Sequence, residues 1–285
     1  MYEGIYGLSC VENHVQAVLR QHGERVEASY YNSAVPLADL YKQMVTEGIR
    51  QEHFYLLERV QEIWKRLGIL ELVKIKHAPA AKMLQAVCSC QKNECLLVRV
   101  TPDFTRRKLL ARGLREDHFV CVKKGGNKFE VYNDIPERRL WLREEQLEES
   151  YDGEYFHLSI RRKMTKADRD YLWQNRRFRP EEFYMQKFMA VGFEDLEQIG
   201  YKLRNLTGVY KLLRYRMAEY YGQYVDTEFI RQVMPEIEKF YAMFEYYNLK
   251  SVSKTDKYKE LFDQLVNLDD KIMSTLKKKM EEKGC

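Results

Sequence analysis

The chain has no run of about eighteen apolar residues anywhere in its 285 positions, so no segment reads as a membrane-spanning helix. It also lacks a large excess of charge of one sign. Its 48 Lys and Arg stand against 43 Asp and Glu, and a net charge of +5 is too small and too interspersed for a nucleic-acid footprint. Cysteine is scarce: six in a chain this long do not make a disulfide scaffold, and the expectation is reduced thiols in a cytoplasmic protein. The opening Met1-Tyr2-Glu3-Gly4 has neither the basic nor the apolar region of a secretion signal. A glycine-rich phosphate loop and a Gly-x-Ser-x-Gly nucleophile elbow are both missing, as are internal repeats and low-complexity stretches.

What is present is a globular composition, 45% hydrophobic and 32% charged, with two textures along the chain. Up to about Arg162 the pattern is mixed. Val11, Val15, Val18 and Leu19 share one helical face that stops at Gly23, and residues 53–67 repeat the pattern with Leu56, Leu57, Val60, Ile63, Trp64 and Leu67. Strand-like runs follow at 70–76, 95–101, 118–123, 128–133 and 155–160, with a helix around Ala80 to Cys88. Lys124-Gly125-Gly126-Asn127 between two of these runs predicts a hairpin, because paired glycines supply the positive φ of a tight turn. The first half is therefore α+β, helices first and then a mostly antiparallel sheet. From Thr165 strand signals vanish, and amphipathic helices are expected near 181–190, 193–222, 226–248 and 255–282. Asp226 and Thr255 read as N-caps, Pro180 and Pro235 as interruptions or first-turn residues, and a stripe of tyrosines as packing core. This divides the chain into domains 1–164 and 165–285.

Three pieces carry chemistry. Gly7-Leu8-Ser9-Cys10 puts a thiol at a helix N-terminus, where unpaired amides and the helix dipole favour thiolate. Asp117-His118-Phe119-Val120 starts a strand with histidine, and Tyr132-Asn133-Asp134-Ile135-Pro136 ends the next strand with an acid. If Gly125 and Gly126 form the turn, His118 faces Asn133; one residue of slippage puts Asp134 there instead. Either residue would fix the imidazole tautomer.

A cysteine at the first helix, a strand opened by histidine, and an acid sixteen residues later before Ile-Pro resemble the papain-like core of bacteriocin-processing peptidases. The same order is similar to the N-terminal domain of the butirosin biosynthesis protein H family, carrier-protein acyltransferases, and to the cysteine-protease-like amide synthases of closthioamide assembly. The resemblance covers about residues 1–162 and implies a papain-like fold with Cys10 as nucleophile, His118 as base and Asp134 orienting it. It further implies an acyltransferase or amide synthase of specialised, antibiotic-type metabolism. Such an enzyme would move an acyl group from a phosphopantetheine thioester on an acyl or peptidyl carrier protein to a small amine, with no bound cofactor. A cysteine peptidase or amidase, and a non-catalytic binding or immunity protein on the same fold, are the alternatives. One departure from the peptidase pattern stands out: no glutamine precedes Cys10. Beyond the Cys10 amide, Ser9 and Tyr6 are the available supporting groups for the oxyanion, and Asn133 supports His118.

Carrier proteins are acidic, so Arg161, Arg162, Lys163, Arg176, Arg177 and Arg179 form the candidate docking surface. The helical half is assigned to walling the acceptor pocket, docking the carrier or homodimerisation. Cys88, Cys90 and Cys95 with His77 lack the second pair that a zinc motif needs, and no metal is expected. Glu12 and Asn13 read as exposed first-turn residues, and His14 as a surface or packing histidine.

Overall fold

The computed structural model describes residues 8–49, 59–110, 118–134, 136–176, 199–250 and 255–284. The helix expected at 181–190, and with it Pro180, lies outside these residues, as does the first part of the helix expected at 53–67. No helix among the described residues is long and apolar enough to cross a membrane.

The chain forms two compact units. One comprises Met1–Val26 with Glu58–Asp168, the other Glu27–Leu57 with Arg169–Cys285. Residues 27–49 precede the strands in sequence, yet they pack with the helical second half.

The first unit is α+β. Helix α1 (Cys10–Gln21) is followed, after the excursion into the other unit, by α3 (Val60–Arg66); α2 (Leu37–Tyr41) belongs to that excursion. Six strands then form one sheet: β1 (Leu70–Lys76), β2 (Glu94–Val100), β3 (His118–Gly125), β4 (Lys128–Asn133), β5 (Arg138–Leu142) and β6 (Tyr151–Ile160). Their order is β1-β6-β2-β3-β4-β5, with every pairing antiparallel. Helices α4 (Ala80–Ser89), α5 (Pro102–Arg107) and α6 (Glu144–Ser150) cover one face. There Met83, Leu84 and Val87 of α4 and Leu147 of α6 close a core over Leu96, Val98, Val120, Val122, Phe129 and Val131. Alternate residues of these strands build that core because successive strand side chains point to opposite faces. Helix α1 lies on β3 from the other side.

The strand β5 is absent from the sequence reading, since Arg138-Arg139-Leu140-Trp141-Leu142 carries too much charge to read as a strand. It is an edge strand, where charge is tolerated. The hairpin turn also differs from expectation. Gly125 pairs with Lys128, so Gly126 and Asn127 form the turn, and Gly126 has φ +65°. Gly125 is a strand residue whose missing side chain makes room for the Trp141 ring.

The second unit is helical: α7 (Lys166–Gln174) runs into it, followed by α8 (Ile199–Tyr221), α9 (Glu228–Leu249) and α10 (Thr255–Glu282). Asp226 does accept an N-terminal amide of α9, from Glu228 at 3.0 Å, although Thr227 holds the cap position. Helix α9 continues through Pro235, giving up one backbone hydrogen bond rather than stopping. At the centre of the unit, Asp269 of α10 accepts from the Leu37 amide at 2.8 Å, the Tyr210 hydroxyl at 3.0 Å and the Arg214 guanidinium. Arg214, fully buried, also donates to the Val35 carbonyl at 2.7 Å. This network fastens residues 35–37 to α8 and α10, which explains why that stretch joins the helical unit.

Candidate active site

Cys10 is the first residue of α1, and its neighbours are committed to capping that helix. The Ser9 side chain accepts from the Glu12 amide at 3.3 Å, while Glu12 accepts from the Ser9 amide at 2.9 Å and from its hydroxyl at 2.8 Å. The hydroxyl proton of Ser9 is thus directed at Glu12, not at a substrate oxyanion. Tyr6, the other supporting group named from the sequence, lies outside the described residues.

The thiol does not follow the helix-terminus expectation. Burial pushes Cys10 up to about 11, and the Asp134 charge acts in the same direction; the backbone amides of Phe119, Val11 and Cys10 itself pull the other way. Cys10 at rest is therefore a neutral thiol held against the Phe119 backbone.

One helical turn further, the expectation of exposed polar groups is overturned at Glu12 and Asn13, while His14 takes the packing alternative. Glu12, Asn13 and His14 are all buried, because α1 lies on β3 with this turn facing the sheet. Asn13 Nδ2 donates to Asp134 Oδ2 at 2.9 Å. His14 Nε2 is 3.0 Å from the Phe119 carbonyl, and a carbonyl only accepts. Nε2 therefore carries the proton, and the lone pair of His14 is on Nδ1, buried with no hydrogen-bond partner among the described residues. Burial holds His14 below the ordinary histidine range and nearby His118 acts likewise, opposed by Asp134 and the Phe119 carbonyl. Asp134 Oδ1 lies 3.9 Å from His14 Nε2 and accepts no hydrogen bond from any described residue. The His14 ring meets Tyr132 edge-on, with centroids 5.9 Å apart.

His118 opens β3 and is buried. Its Nε2 lies 2.5 Å from Asn133 Oδ1. Asn133 Nδ2 in turn donates to the Pro136 carbonyl at 2.7 Å, which orients the amide and leaves Oδ1 as the acceptor facing His118. His118 is accordingly protonated on Nε2, with its lone pair on Nδ1. Sheet register explains this pairing. Cys121 pairs with Tyr132 and Val122 with Val131, so continuing the ladder puts Val120 opposite Asn133 and Phe119 opposite Asp134. His118 and Asn133 extend the row of Val120, Val122 and Val131; Asp134 falls in the alternate row with Tyr132, toward α1. The imidazole is thus oriented by the carboxamide. Asp134 instead bonds Asn13, and no hydrogen bond or ion pair joins it to His118.

Three of the six basic residues named for carrier docking have partners within the protein. Arg161 pairs with Glu71, and Arg162 binds Asp168 at 2.6 Å and the Leu67 carbonyl. That guanidinium holds the Asp168 carboxyl well below the usual carboxylate range. Lys163 is exposed. Arg176 is buried, its guanidinium 3.9 Å over the Trp173 ring, which removes it from any docking surface. Arg177 and Arg179 lie outside the described residues.

Compared with family models, with curated proteins and with solved structures, the chain matches none of them.

Sequence reasoning missed Asn13 and His14. A signal for them exists: positions 10, 13 and 14 fall three and four residues apart and continue, through 17 and 18, the same stripe that Val18 occupies. Polar residues on an otherwise apolar stripe are the mark of a buried polar cluster.

Proposed function

We propose that the α+β unit is a thiol-dependent acyl-transfer enzyme with a papain-like core, with Cys10 as nucleophile and His118 as base. The observation that carries this reading is a tautomer-fixed imidazole on the residue preceding Phe119, whose backbone borders the Cys10 thiol. Because the His118 row faces away from α1, the base role requires the ring to reach Cys10 around the open end of β3. His118 presents Nδ1 as its basic nitrogen, and Asn133 performs the orienting role that the sequence resemblance gives to Asp134. Burial keeps the resting thiol protonated, and the Asp134 charge acts in the same direction.

In the step itself, Cys10 Sγ forms a bond to the carbonyl carbon of a carrier-bound thioester as its proton passes to His118. The carrier thiol leaves with a proton. An amine then attacks the acyl-enzyme, the new C–N bond forms, and Cys10 recovers its proton through His118. Exchange between two thioesters is close to thermoneutral, so a thiol nucleophile suits such a donor. Hydrolysis of the same intermediate would make the protein an amidase or peptidase.

A second reading, a non-catalytic binding or immunity protein, is favoured by one observation: the thiol is raised, not lowered, where a resting nucleophile benefits from the opposite. Incubation with a simple acyl thioester followed by intact-mass analysis separates the readings. An acyl adduct is expected on the wild type, lost in Cys10→Ala, slowed in His118→Ala and discharged faster by amines than by water. Absence of any adduct across donors would leave only the binding protein, and discharge to acid alone would make it a hydrolase.

A further inference from the structure

A second cluster lies on the α4-covered face of the same unit. Helix α4 ends at Ser89 with Cys90 as its C-cap, and a short turn leads to Glu94 at the start of β2. The Gln91 amide donates to Glu94 Oε2 at 2.9 Å and pins the carboxylate below that turn. His157 lies in β6 opposite Leu96 of β2, so it shares a sheet face with Glu94. The register thus brings to one place three residues that are not adjacent in sequence. A Cys90 sulfur, a Glu94 oxygen and a His157 nitrogen all fall within 4.8 Å of one another, each side chain partly buried.

We propose that Cys90, Glu94 and His157 form a zinc site that ties the end of α4 to β2 and β6, with water in the fourth position. His157 Nε2 and Glu94 Oε2 are 3.6 Å apart, beyond hydrogen-bonding distance. In a tetrahedral zinc site with bonds of about 2.0–2.2 Å, nitrogen and oxygen ligands stand roughly 3.4 Å apart, which matches this spacing. The donor set selects the ion. Thiolate and imidazole suit zinc, whereas magnesium and calcium take oxygen ligands. On binding, the Cys90 S–H bond is broken and its proton goes to solvent, with no change of redox state. Zinc binding therefore strengthens as pH rises. Cys88 falls outside this trio, and its sulfur accepts from the Lys124 ammonium at 3.5 Å. Neither His77 nor Cys95, the partners that sequence spacing offers, joins a trio this tight among the described residues.

The test uses the untagged full chain, titrated with zinc in competition with a chromophoric chelator, and cobalt(II) as a spectroscopic substitute. One equivalent is expected to bind. Cys90→Ser and His157→Gln should each weaken affinity at least about tenfold, and Cys88→Ser should not, all three variants keeping the wild-type circular dichroism. The cobalt form should show a thiolate-to-metal charge-transfer band that disappears in Cys90→Ser and persists in Cys88→Ser. A wild type that binds no zinc at millimolar concentration, or a charge-transfer band that survives in Cys90→Ser, would overturn the assignment.

Discussion

Each unit of this protein buries a cluster of polar groups, and the two clusters are completed differently. In the helical unit, Asp269 uses both carboxylate oxygens, on the Leu37 amide and on Tyr210 and Arg214, and Arg214 continues to the Val35 carbonyl. In the α+β unit, Glu12 Oε1, His14 Nδ1 and Asp134 Oδ1 are buried without a hydrogen-bond partner among the described residues. Unpaired buried polar atoms are costly, and a fold keeps few of them without reason. The satisfied network acts as a fastener. The incomplete one leaves three acceptor atoms unused, two of them on the helix that Cys10 begins.

The sharpest way to break that comparison is to open the fastener. Asp269→Ala leaves Arg214 buried and uncompensated and should destabilise the protein by about 3–5 kcal/mol, read as a lowered urea midpoint. Replacing both partners with apolar residues, Asp269→Leu with Arg214→Met, should recover most of that loss. If the single variant costs less than the double, the network is not a fastener.

In the α+β unit the expected effect is on reactivity. With the Cys10 thiol raised from 9.0 to about 11, its thiolate fraction at neutral pH is lowered about a hundredfold. Iodoacetamide should modify Cys10 correspondingly more slowly than an unstructured thiol, the rate climbing until pH approaches 11. The same shift has a stability sign: the folded state keeps the proton that the unfolded state releases. This contribution is therefore complete below pH 9 and lost as pH rises through about 11. Fast alkylation at pH 7 would instead mean a preformed thiolate, and with it a resting ion pair.

A smaller test asks whether the incomplete cluster tolerates further loss. Asn13→Ala removes the only donor to Asp134 Oδ2 among the described residues and should cost about 1–3 kcal/mol in chemical denaturation. It should also change the pH profile of Cys10 alkylation, because Asp134 acts on the thiol; an unchanged profile would separate Asp134 from the site. The smallest effect is expected at the cap. Ser9→Ala should lower stability by about 1 kcal/mol and leave acylation of Cys10 measurable, since the hydroxyl serves Glu12 and not the substrate.

Much of this architecture was legible in local pattern. Five of the six strands, α1, α8, α9 and α10 follow from alternation and helical spacing, because burial on one face imposes a period that the sequence must carry. The Gly-Gly hairpin was visible, but its turn was not placed correctly. Two adjacent glycines look alike in sequence, and only the Trp141 ring over Gly125 shows which of them is in the strand. Asn13 and His14 escaped for a related reason: whether a polar residue on a helix faces water or a sheet depends on what packs there.

By itself, the sequence determined the α+β class of the first unit, the helical character of the second, the absence of a spanning helix, and the choice of Cys10, His118 and the Asn133-Asp134 pair as the residues to inspect. Tertiary structure decided how they pair. The alternation of strand side chains sends Asn133 to His118 and Asp134 to Asn13, and burial outweighs the helix terminus in setting the thiol. Pairing across the sheet likewise brings Cys90, Glu94 and His157 together. Local chemistry is written residue by residue, whereas burial, register and long-range partners arise only when distant segments meet.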